Sequence, residues 1–483
     1  MPENAPHEPD LSPGDMPIEE FRAHGHAVVD WIAEYLGSVD EYPVLARVAP
    51  GEIAGRLPRH APEQPAGMRE ILEDFEHVLL PGMTHWNHPG FFAYFAITGS
   101  GPGILGEMLA AALNNNAMLW RTGPAATELE ERSLDWLRQM MGLPAVFRGT
   151  IHDTASISSL TAIAAAREAA LPDAREAGLS GLPRLRLYCS EEAHSSIEKA
   201  GITLGIGRAG TRRIATDAEF RMDPAALEAA IEEDLAAGWR PFCVVATVGT
   251  TSTTSIDPVP EIARICRRRG LWLHVDAAYG GAAAVAPEFR HVLDGCDAAD
   301  SLVVNPHKWL FVPIDCSALY VRDPEVVRRA FSILPEYLVT PEGESVTNLM
   351  DYGPALGRRF RSLKLWMTLR YFGREGIAER IRAHVRVARE FAAWIDADEQ
   401  WERLAPTRFS VVVFRYRAAG MSDAGADAWN EQILETVNAG GEVYLSHTRV
   451  HGRYAIRLAV GNLRTTQAHV QRAWDLLRAA AES

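Results

Sequence analysis

Between about Gly99 and Arg361 the sequence alternates helical stretches with short apolar runs. The runs lack the alternation of polar and apolar residues that marks a half-exposed strand, so they are typical of strands buried on both faces of a sheet. Strands that alternate with helices indicate βαβ units. We therefore predict an α/β domain with a mainly parallel sheet, whose clearest strand candidates are Arg184 to Cys189, Phe242 to Val248, Leu271 to Val275, Ser301 to Val304 and Ser317 to Val321.

Two helices of this domain have recognisable ends. Asp223 and Asp257 each stand directly before a proline, which places an N-cap acceptor ahead of proline at the first helical position. Gly270 follows the second helix as its predicted end.

The segments outside this sheet predict other structures. Residues 1–15 are rich in proline and acidic residues and are predicted to be a disordered tail. Amphipathic helices begin at Ile18 and Met68, and because no sheet precedes them we predict that they pack on a second subunit. After Lys364 a long helical pattern precedes three strand candidates and a closing helix from Thr465, with the strands at Phe409 to Tyr416, Val443 to Leu445 and Tyr454 to Val460. The predicted divisions are a tail (1–15), a helical segment (16–100), a large α/β domain (101–363) and a small α+β domain (364–483).

Composition narrows the class of partner. The formal net charge of −15 over 483 residues argues against nucleic acid or an anionic membrane as the main partner. The five cysteines are scattered without a CxxC pair, no apolar run approaches the ~18 residues of a membrane span, and the N-terminus is acidic. We therefore predict a cytoplasmic protein.

Two short motifs predict little by themselves. Gly205 to Gly210 matches G-x-G-x-x-G, but the flanking residues read as helix before and strand after, the reverse of a dinucleotide site. An NAD-dependent oxidoreductase is therefore only a remote alternative. His85 and His88 could form half of a metal site, but no other ligand cluster accompanies them, so we predict no metal.

Three other features predict more when they are combined. Thr154 to Ser156 open an alanine-rich helix, where backbone N–H groups can hold an anion or merely be capped. Asp276 ends one strand candidate and either meets a cation or caps a turn. Lys308 follows the end of another strand and is either a site residue or a solvated loop lysine. Together they supply a phosphate cradle, an acid for a pyridinium nitrogen and a lysine for an aldehyde, which are the needs of pyridoxal 5'-phosphate.

From about Ile18 to the last helix, the sequence resembles the group II pyridoxal-phosphate-dependent amino-acid decarboxylases, most closely the aromatic-L-amino-acid decarboxylases. The likeness is carried by the cofactor-lysine motif Asn305-Pro-His-Lys-Trp309 and by further motifs at Thr84 to Trp86, Phe92 to Phe95, Thr127 to Glu130, Ala193 to Ser196, His274 to Tyr279 and Leu356 to Lys364. It implies a fold type I (aspartate-aminotransferase-like) homodimer, with active sites shared between subunits and N-terminal helices that wrap the partner.

The resemblance also implies residue roles. Lys308 would bond to the cofactor, His194 would stack on its ring and Asp276 would pair with the ring nitrogen. The other implied cofactor contacts are Ala155, Ser156, Thr251, Ala278, Asn305, His307 and Gly357. The implied substrate pocket contains Trp86, Tyr94, Phe95, Ala96, Ile97, Asn116 and Met118.

The implied reaction is decarboxylation of an L-amino acid, first of all an aromatic one, to its amine and CO2. Tyr337 stands where the family places a proton-donating tyrosine on a mobile loop, and phenylalanine there is associated with aldehyde formation. Tyr337 and His194 together favour the amine over the alternative, an aldehyde synthase. Ala96 and Ile97 replace the expected Pro-Thr, while Asn116 and Arg121 stand in a stretch expected to be more apolar, which leaves a non-aromatic substrate open.

Overall fold

The computed structural model describes residues 14–483 except 96, 173, 334–337 and 339, so nearly all of the predicted disordered tail lies outside the described residues. The chain divides into two compact units, one that ends at His85 and one that begins at Trp86. The domain limits predicted from the sequence stay a prediction.

The described helices and strands are numbered in chain order. The α-helices are α1 (Ile18–Gly37), α2 (Glu52–Arg56), α3 (Met68–Asp74), α4 (Gly101–Leu113), α5 (Pro124–Met141), α6 (Ala155–Ala170), α7 (Ala174–Ala177), α8 (Ser195–Thr203), α9 (Pro224–Ala236), α10 (Val259–Arg269), α11 (Pro306–Trp309), α12 (Pro324–Phe331), α13 (Ser362–Asp396), α14 (Asp423–Gly440) and α15 (Gln467–Glu482). The strands are β1 (Arg148–His152), β2 (Leu185–Ser190), β3 (Thr211–Ile214), β4 (Arg240–Thr247), β5 (Trp272–Asp276), β6 (Ser301–Val304), β7 (Ser317–Val321), β8 (Trp401–Arg403), β9 (Val411–Tyr416), β10 (Ser446–Val450) and β11 (Arg453–Ala459).

The first unit contains the two predicted N-terminal helices. They begin at Ile18 and Met68, as the sequence predicts. No residue of α1 is buried, and Ile18 and Phe21 are 68% and 60% exposed. An apolar stripe left uncovered in this way normally has a partner.

The second unit is organised around a seven-stranded sheet in the order β1-β7-β6-β5-β4-β2-β3. The strands from β6 to β3 run parallel, and β7 is antiparallel to both β6 and β1. β5 and β6 are almost wholly buried, because α-helices cover both faces of the sheet. The predicted mainly parallel α/β domain is confirmed.

A four-stranded antiparallel sheet, β10-β11-β9-β8, follows α13. Its apolar face packs with the end of α13, α14 and α15 around Phe391, Phe414 and Trp474. This agrees with the predicted C-terminal α+β part. Among the described residues, no helix combines the length and hydropathy that crossing a bilayer requires.

Two local predictions are wrong. Asp257 does not cap α10, because its carboxylate accepts hydrogen bonds from the Met222 and Thr247 backbone N–H groups, both at 2.7 Å. Val443 to Leu445 is not a regular strand. Its Tyr444 forms an isolated bridge with Phe91 instead, and the strand begins only at Ser446. Asp223 caps α9 and Gly270 ends α10, as predicted.

Candidate active site

The candidate site lies where three neighbouring strands end. In the register of the sheet, Asp276 of β5 is paired with Thr247 of β4 on one side and Val303 of β6 on the other. Parallel strands bring their carboxyl ends to one edge, so the residues that end them or follow them meet there. We call Thr247, Asp276, Asn305 and Lys308 the cofactor floor.

Lys308 lies in α11, the single helical turn that follows β6, with Asn305 in its N-cap position. Pro306 at the first helical position ends the strand and turns the chain. Burial lowers the pKa of the Lys308 ammonium group, and the Asp276 carboxylate partly offsets this. The neutral amine that burial favours is the nucleophilic form of lysine.

Aromatic rings line one side of Lys308. Its Nζ lies 5.0 Å from the centroid of the Phe95 ring. Phe95 stacks on Tyr279 at 4.0 Å, and Tyr279 stacks in turn on Trp309 at 4.9 Å. The Tyr279 hydroxyl is held by Ser410 Oγ at 2.6 Å. This stack packs the aromatic neighbours of the lysine firmly against one another.

His194 is placed by its own helix. It is the N-cap residue of α8, and its Nδ1 accepts a hydrogen bond from the Ser196 backbone N–H at 3.2 Å. Burial lowers the pKa of His194, while the Asp276 carboxylate partly offsets this. A neutral ring whose Nδ1 accepts carries its proton on Nε2. His194 can therefore stack on a flat ligand and donate one hydrogen bond from Nε2.

The anion side of the site is the start of α6. Thr154 has extended backbone in the N-cap position, and its side chain accepts no capping hydrogen bond. Asn305 is 2% exposed, and its Oδ1 has no hydrogen-bond partner among the described residues. Its Nδ2 lies 3.3 Å from Nε2 of His307, whose Nδ1 accepts the Cys316 backbone N–H. Because His307 Nδ1 accepts, its Nε2 carries the proton and needs an acceptor, so the Asn305 amide belongs with its oxygen toward His307 and its NH2 group free to donate to a ligand.

These groups surround a cavity of about 170 Å³. Its lining includes Phe95, Thr154, Ala155, Ser156, His194, Ser196, Thr247, Gly249, Thr251, Asp276, Ala278, Tyr279, Asn305, His307 and Lys308. The chemistry fits pyridoxal phosphate. A helix start and an unpartnered amide group suit the phosphate, a carboxylate suits the ring nitrogen and a lysine suits the aldehyde.

Most predicted cofactor residues are thus brought together, but Gly357 is not among the lining residues. A Cβ on Gly357 would meet nothing within 4 Å. Its predicted contact with the phosphate stays a prediction.

The predicted substrate residues fall into two groups. Trp86, Tyr94 and Phe95, which we call the aromatic wall, lie on one segment, and the Trp86 and Tyr94 rings stack at 5.9 Å. The Asn116 side chain is already engaged, because its Oδ1 accepts the Arg358 backbone N–H at 2.9 Å. Met118 packs against the cluster of Leu119, Leu338 and Met350.

Two pocket predictions, Ala96 and Ile97, and the catalytic prediction of Tyr337 remain open. Ile97 is partly buried directly after the wall segment, and no contact in the cavity lining tests its predicted role. Ala96 and Tyr337 lie outside the described residues.

The sequence reasoning missed Arg457, Ser446 and Tyr444, which contact the aromatic wall from the C-terminal sheet. The Tyr444 hydroxyl lies 3.2 Å from that of Tyr94, and Arg457 and Ser446 both bond to the Tyr94 backbone. Arg457 gave a weak signal, as a charged residue inside an apolar strand candidate.

The two weak motifs are accounted for without ligands. Gly205 to Gly210 joins α8 to β3, and Gly205 and Gly207 have φ of 77° and 76°. The motif is therefore a helix-to-strand turn. The His85 ring lies 3.0 Å from the Tyr35 hydroxyl, and His88 Nδ1 accepts the Gly90 backbone N–H. Within the described ranges, no group of three or more His, Cys, Asp or Glu side chains could hold a metal ion.

Comparison with known proteins gives consistent results. The family model of the pyridoxal-dependent decarboxylase conserved domain matches residues 50–417. An aromatic-L-amino-acid decarboxylase of Catharanthus roseus is 41% identical over 95% of this chain and 93% of its own. A phenylacetaldehyde synthase of Arabidopsis thaliana is 38% identical over 96% of both chains.

Among solved structures, Oryza sativa TDC crystallised with PLP and tryptamine superposes with a TM-score of 0.95 at 39% identity. The superposition covers 98% of this chain and 99% of that one. The predicted fold type I architecture is confirmed by this likeness.

Proposed function

The chain belongs to the pyridoxal-dependent decarboxylase family, and from that premise we propose that it converts an aromatic L-amino acid to its amine and CO2. Pyridoxal phosphate is its cofactor. One observation carries the proposal: Asp276, Lys308 and His194 surround one cavity beside an aromatic wall.

When bound, pyridoxal phosphate supplies an electron sink for the bonding pair that remains when the carboxylate leaves as CO2. The Asp276 carboxylate would hold the proton on the ring nitrogen, because an anion at that position stabilises the protonated ring. Lys308, as a neutral amine, would bond to the cofactor. Ala155, Ser156, Asn305 and, from its loop, Gly357 would hold the phosphate, while Thr251, Ala278 and His307 would contact the rest of the cofactor.

In this proposal a protein group donates the proton that replaces the lost carboxylate. We assign it to the Tyr337 hydroxyl, and His194, whose Nε2 carries a proton because its Nδ1 accepts, would stack on the ring. This assignment distinguishes the amine-forming reaction from its closest alternative, decarboxylation with oxidative deamination to an aldehyde. That alternative remains a candidate because a phenylacetaldehyde synthase is 38% identical to this chain, against 41% for the aromatic-L-amino-acid decarboxylase.

The substrate side chain is proposed to be aromatic for two reasons. The first is the aromatic wall, in which Phe95 lines the cavity and the Trp86 and Tyr94 rings of the same segment stack on each other. The second is that Arg121, in the predicted pocket stretch, and Arg457, beside the aromatic wall, are both engaged. Arg121 pairs with Glu342 at 3.1 Å, and the guanidinium of Arg457 bonds to carbonyl and hydroxyl oxygens. Neither arginine therefore offers an unpaired positive charge to a substrate with an acidic side chain.

The test is a decarboxylation screen of the purified holoenzyme over the twenty amino acids and hydroxylated aromatic amino acids. Release of CO2 and amine with kcat/KM highest for an aromatic substrate is the expected result. Highest activity on glutamate or another acidic substrate would contradict the aromatic assignment. Stoichiometric aldehyde and peroxide would establish the alternative reaction.

We also propose that the protein is a cytoplasmic homodimer. On α4 the side chains of Leu105, Leu109 and Leu113 are 51%, 52% and 64% exposed and follow one another at four-residue spacing on one face. An apolar stripe of this kind is usually covered by a partner. The five cysteines are free and buried, as in proteins of a reducing compartment. Light scattering should give twice the chain mass, and Leu109→Glu should lower it.

A further inference from the structure

Arg457 is a buried cation with an unusual set of partners. It lies on β11 and is 3% exposed. Its Nε donates to the Ser252 carbonyl at 3.0 Å and its Nη2 to the Thr251 carbonyl at 2.7 Å. Nη1 donates to the Tyr94 carbonyl at 3.2 Å and to Ser446 Oγ at 3.1 Å. All these acceptors are neutral.

A second buried arginine shows what is normal in this chain. Arg415 on β9 is 0% exposed, and its guanidinium pairs with the carboxylates of Glu402 and Asp423. Buried charges usually have such partners, because an uncompensated buried charge destabilises the fold. Burial accordingly lowers the pKa of Arg457 to about 10, and among the described residues no carboxylate pairs with it. The fold carries this cost at a place next to the candidate site.

Arg457 bonds to the backbone of Tyr94, which has a strained conformation. Tyr94 has φ of 53°, in the left-handed region that a bulky residue rarely adopts. Its N–H donates to Ser446 Oγ at 3.1 Å, and its carbonyl accepts from Arg457. Ser446 and Arg457 face each other as register partners on β10 and β11. One cross-strand pair thus binds both polar groups of the Tyr94 backbone.

The same pair reaches the cavity. Thr251 lines it, and Phe95, the residue after Tyr94, lines it on another side. Ser252 is tied to the C-terminal sheet a second time, since its hydroxyl lies 2.9 Å from the Thr448 hydroxyl. Arg457 therefore connects the aromatic wall to the cavity rim.

We propose that Arg457, together with Ser446, is a positioning residue that holds the aromatic wall at Tyr94 in register with Thr251. It thereby supports binding of the aromatic side chain without touching the substrate carboxylate. The inference deepens the proposed function and rests on it.

The experiment compares full-length holoenzymes with Arg457→Lys, Arg457→Met and Ser446→Ala, and Arg415→Lys as the matched control at a buried arginine away from the cavity. For each, KM for the preferred amino acid, Ki for the corresponding amine, the cofactor dissociation constant and the thermal midpoint are measured. Lysine keeps the charge but cannot reach four acceptors at once.

Arg457→Lys should raise KM and the amine Ki together and by the same factor, on the order of tenfold, because a displaced wall binds both ligands less well. Ser446→Ala should raise both by a smaller factor, and kcat should change less than KM. Arg415→Lys should lower the thermal midpoint and leave both constants as they are.

Three results would overturn the proposal. A raised KM with an unchanged amine Ki would mean that Arg457 contacts the carboxylate itself. An unchanged KM and amine Ki together with a lower thermal midpoint would mean that Arg457 has a purely structural role. In crystal structures of Arg457→Lys and Ser446→Ala, a Tyr94 φ still near 53° would show that the pair does not hold it.

These measurements distinguish a failure of the proposed function from a failure of the inference about Arg457. If the wild type decarboxylates no amino acid, the proposed function fails, whereas the Tyr94 conformation in the variant crystals still decides the inference. If Arg457→Met does not fold, Arg457→Lys and Ser446→Ala carry the comparison.

Discussion

The cofactor floor and the aromatic wall are built by different means. The floor follows from one sheet, in which adjacent strands end in register and turn sharply, and its Asp276 and Asn305 are 6% and 2% exposed. The wall lies on a segment without regular structure, held from outside by β10 and β11, and Trp86 and Tyr94 are 37% and 50% exposed. The floor therefore suits chemistry common to all substrates, and the wall suits the choice among them.

The strongest test of the floor is Lys308→Ala. This variant should reduce kcat for every substrate by at least about 10⁴-fold, since the lysine is the proposed covalent attachment point. Borohydride reduction of the wild type, followed by peptide mass mapping, should place the cofactor on Lys308, one of only three lysines in the chain with Lys199 and Lys364. The exposed Lys199, replaced by Ala, is the control, and an adduct there would refute the assignment.

A smaller but equally general loss is expected for Asp276→Ala. Removing one group that stabilises developing charge costs about 10²–10³-fold in kcat. The loss should be the same for all substrates, as measured in steady-state kinetics with saturating cofactor. Asp300→Asn is the matched control, because its carboxylate accepts the Leu273 backbone N–H at the opposite end of the strands. Near-normal turnover of Asp276→Ala would exclude its proposed role.

Tyr337→Phe should change the product more than the consumption of substrate. Loss of a general acid lowers the rate of amine formation by about 10²-fold or more. Aldehyde, ammonia and peroxide should form instead, with O2 as the oxidant, as followed by chromatography and an oxygen electrode. Tyr371→Phe, at a tyrosine 72% exposed on α13, should leave the product unchanged. An undiminished yield of amine would show that another group donates the proton.

The smallest predicted effect is the contribution of the buried His384 to the stability of the fold as the pH changes. His384 Nδ1 accepts the Trp309 Nε1–H at 3.0 Å, and His384 Nε2 donates to the Asn462 carbonyl at 3.1 Å. Burial lowers the pKa of His384 from 6.5 to about 4. Between pH 6.5 and pH 4 the unfolded chain binds a proton at this histidine and the folded chain does not. The stability that is present above pH 6.5 is therefore lost as the pH falls toward 4. The loss in the free energy of unfolding amounts to at most about 3 kcal/mol.

The thermal midpoint of His384→Gln should accordingly fall less between pH 7 and pH 5 than that of the wild type. Glutamine can still accept one hydrogen bond and donate another but does not titrate. His291→Gln, at an exposed histidine, serves as the control and should parallel the wild type. Parallel curves for His384→Gln would remove His384 from the acid response.

The sequence predicted most of the cofactor floor because residues close together in the chain determine where each strand ends and which side chains follow it. Ser301–Val304 and Ser317–Val321 are strands with the predicted limits, and the residue types that end or follow the strands indicate the chemistry. Where local signals compete, the prediction failed. Asp257 looks like an N-cap residue, yet its carboxylate accepts hydrogen bonds from the buried backbone N–H groups of Met222 and Thr247 instead.

What the sequence by itself determined is therefore the parallel sheet, the residues at its carboxyl edge and, through its motifs, the cofactor and the reaction class. Hydrophobic periodicity and the end of a strand are properties of neighbouring residues. Only the tertiary structure decided that Arg457 and Ser446 bond to the Tyr94 backbone, and that the Asn116 side chain accepts a hydrogen bond from the Arg358 backbone N–H. These contacts join positions more than 200 residues apart, and no local pattern encodes which buried polar groups will satisfy one another.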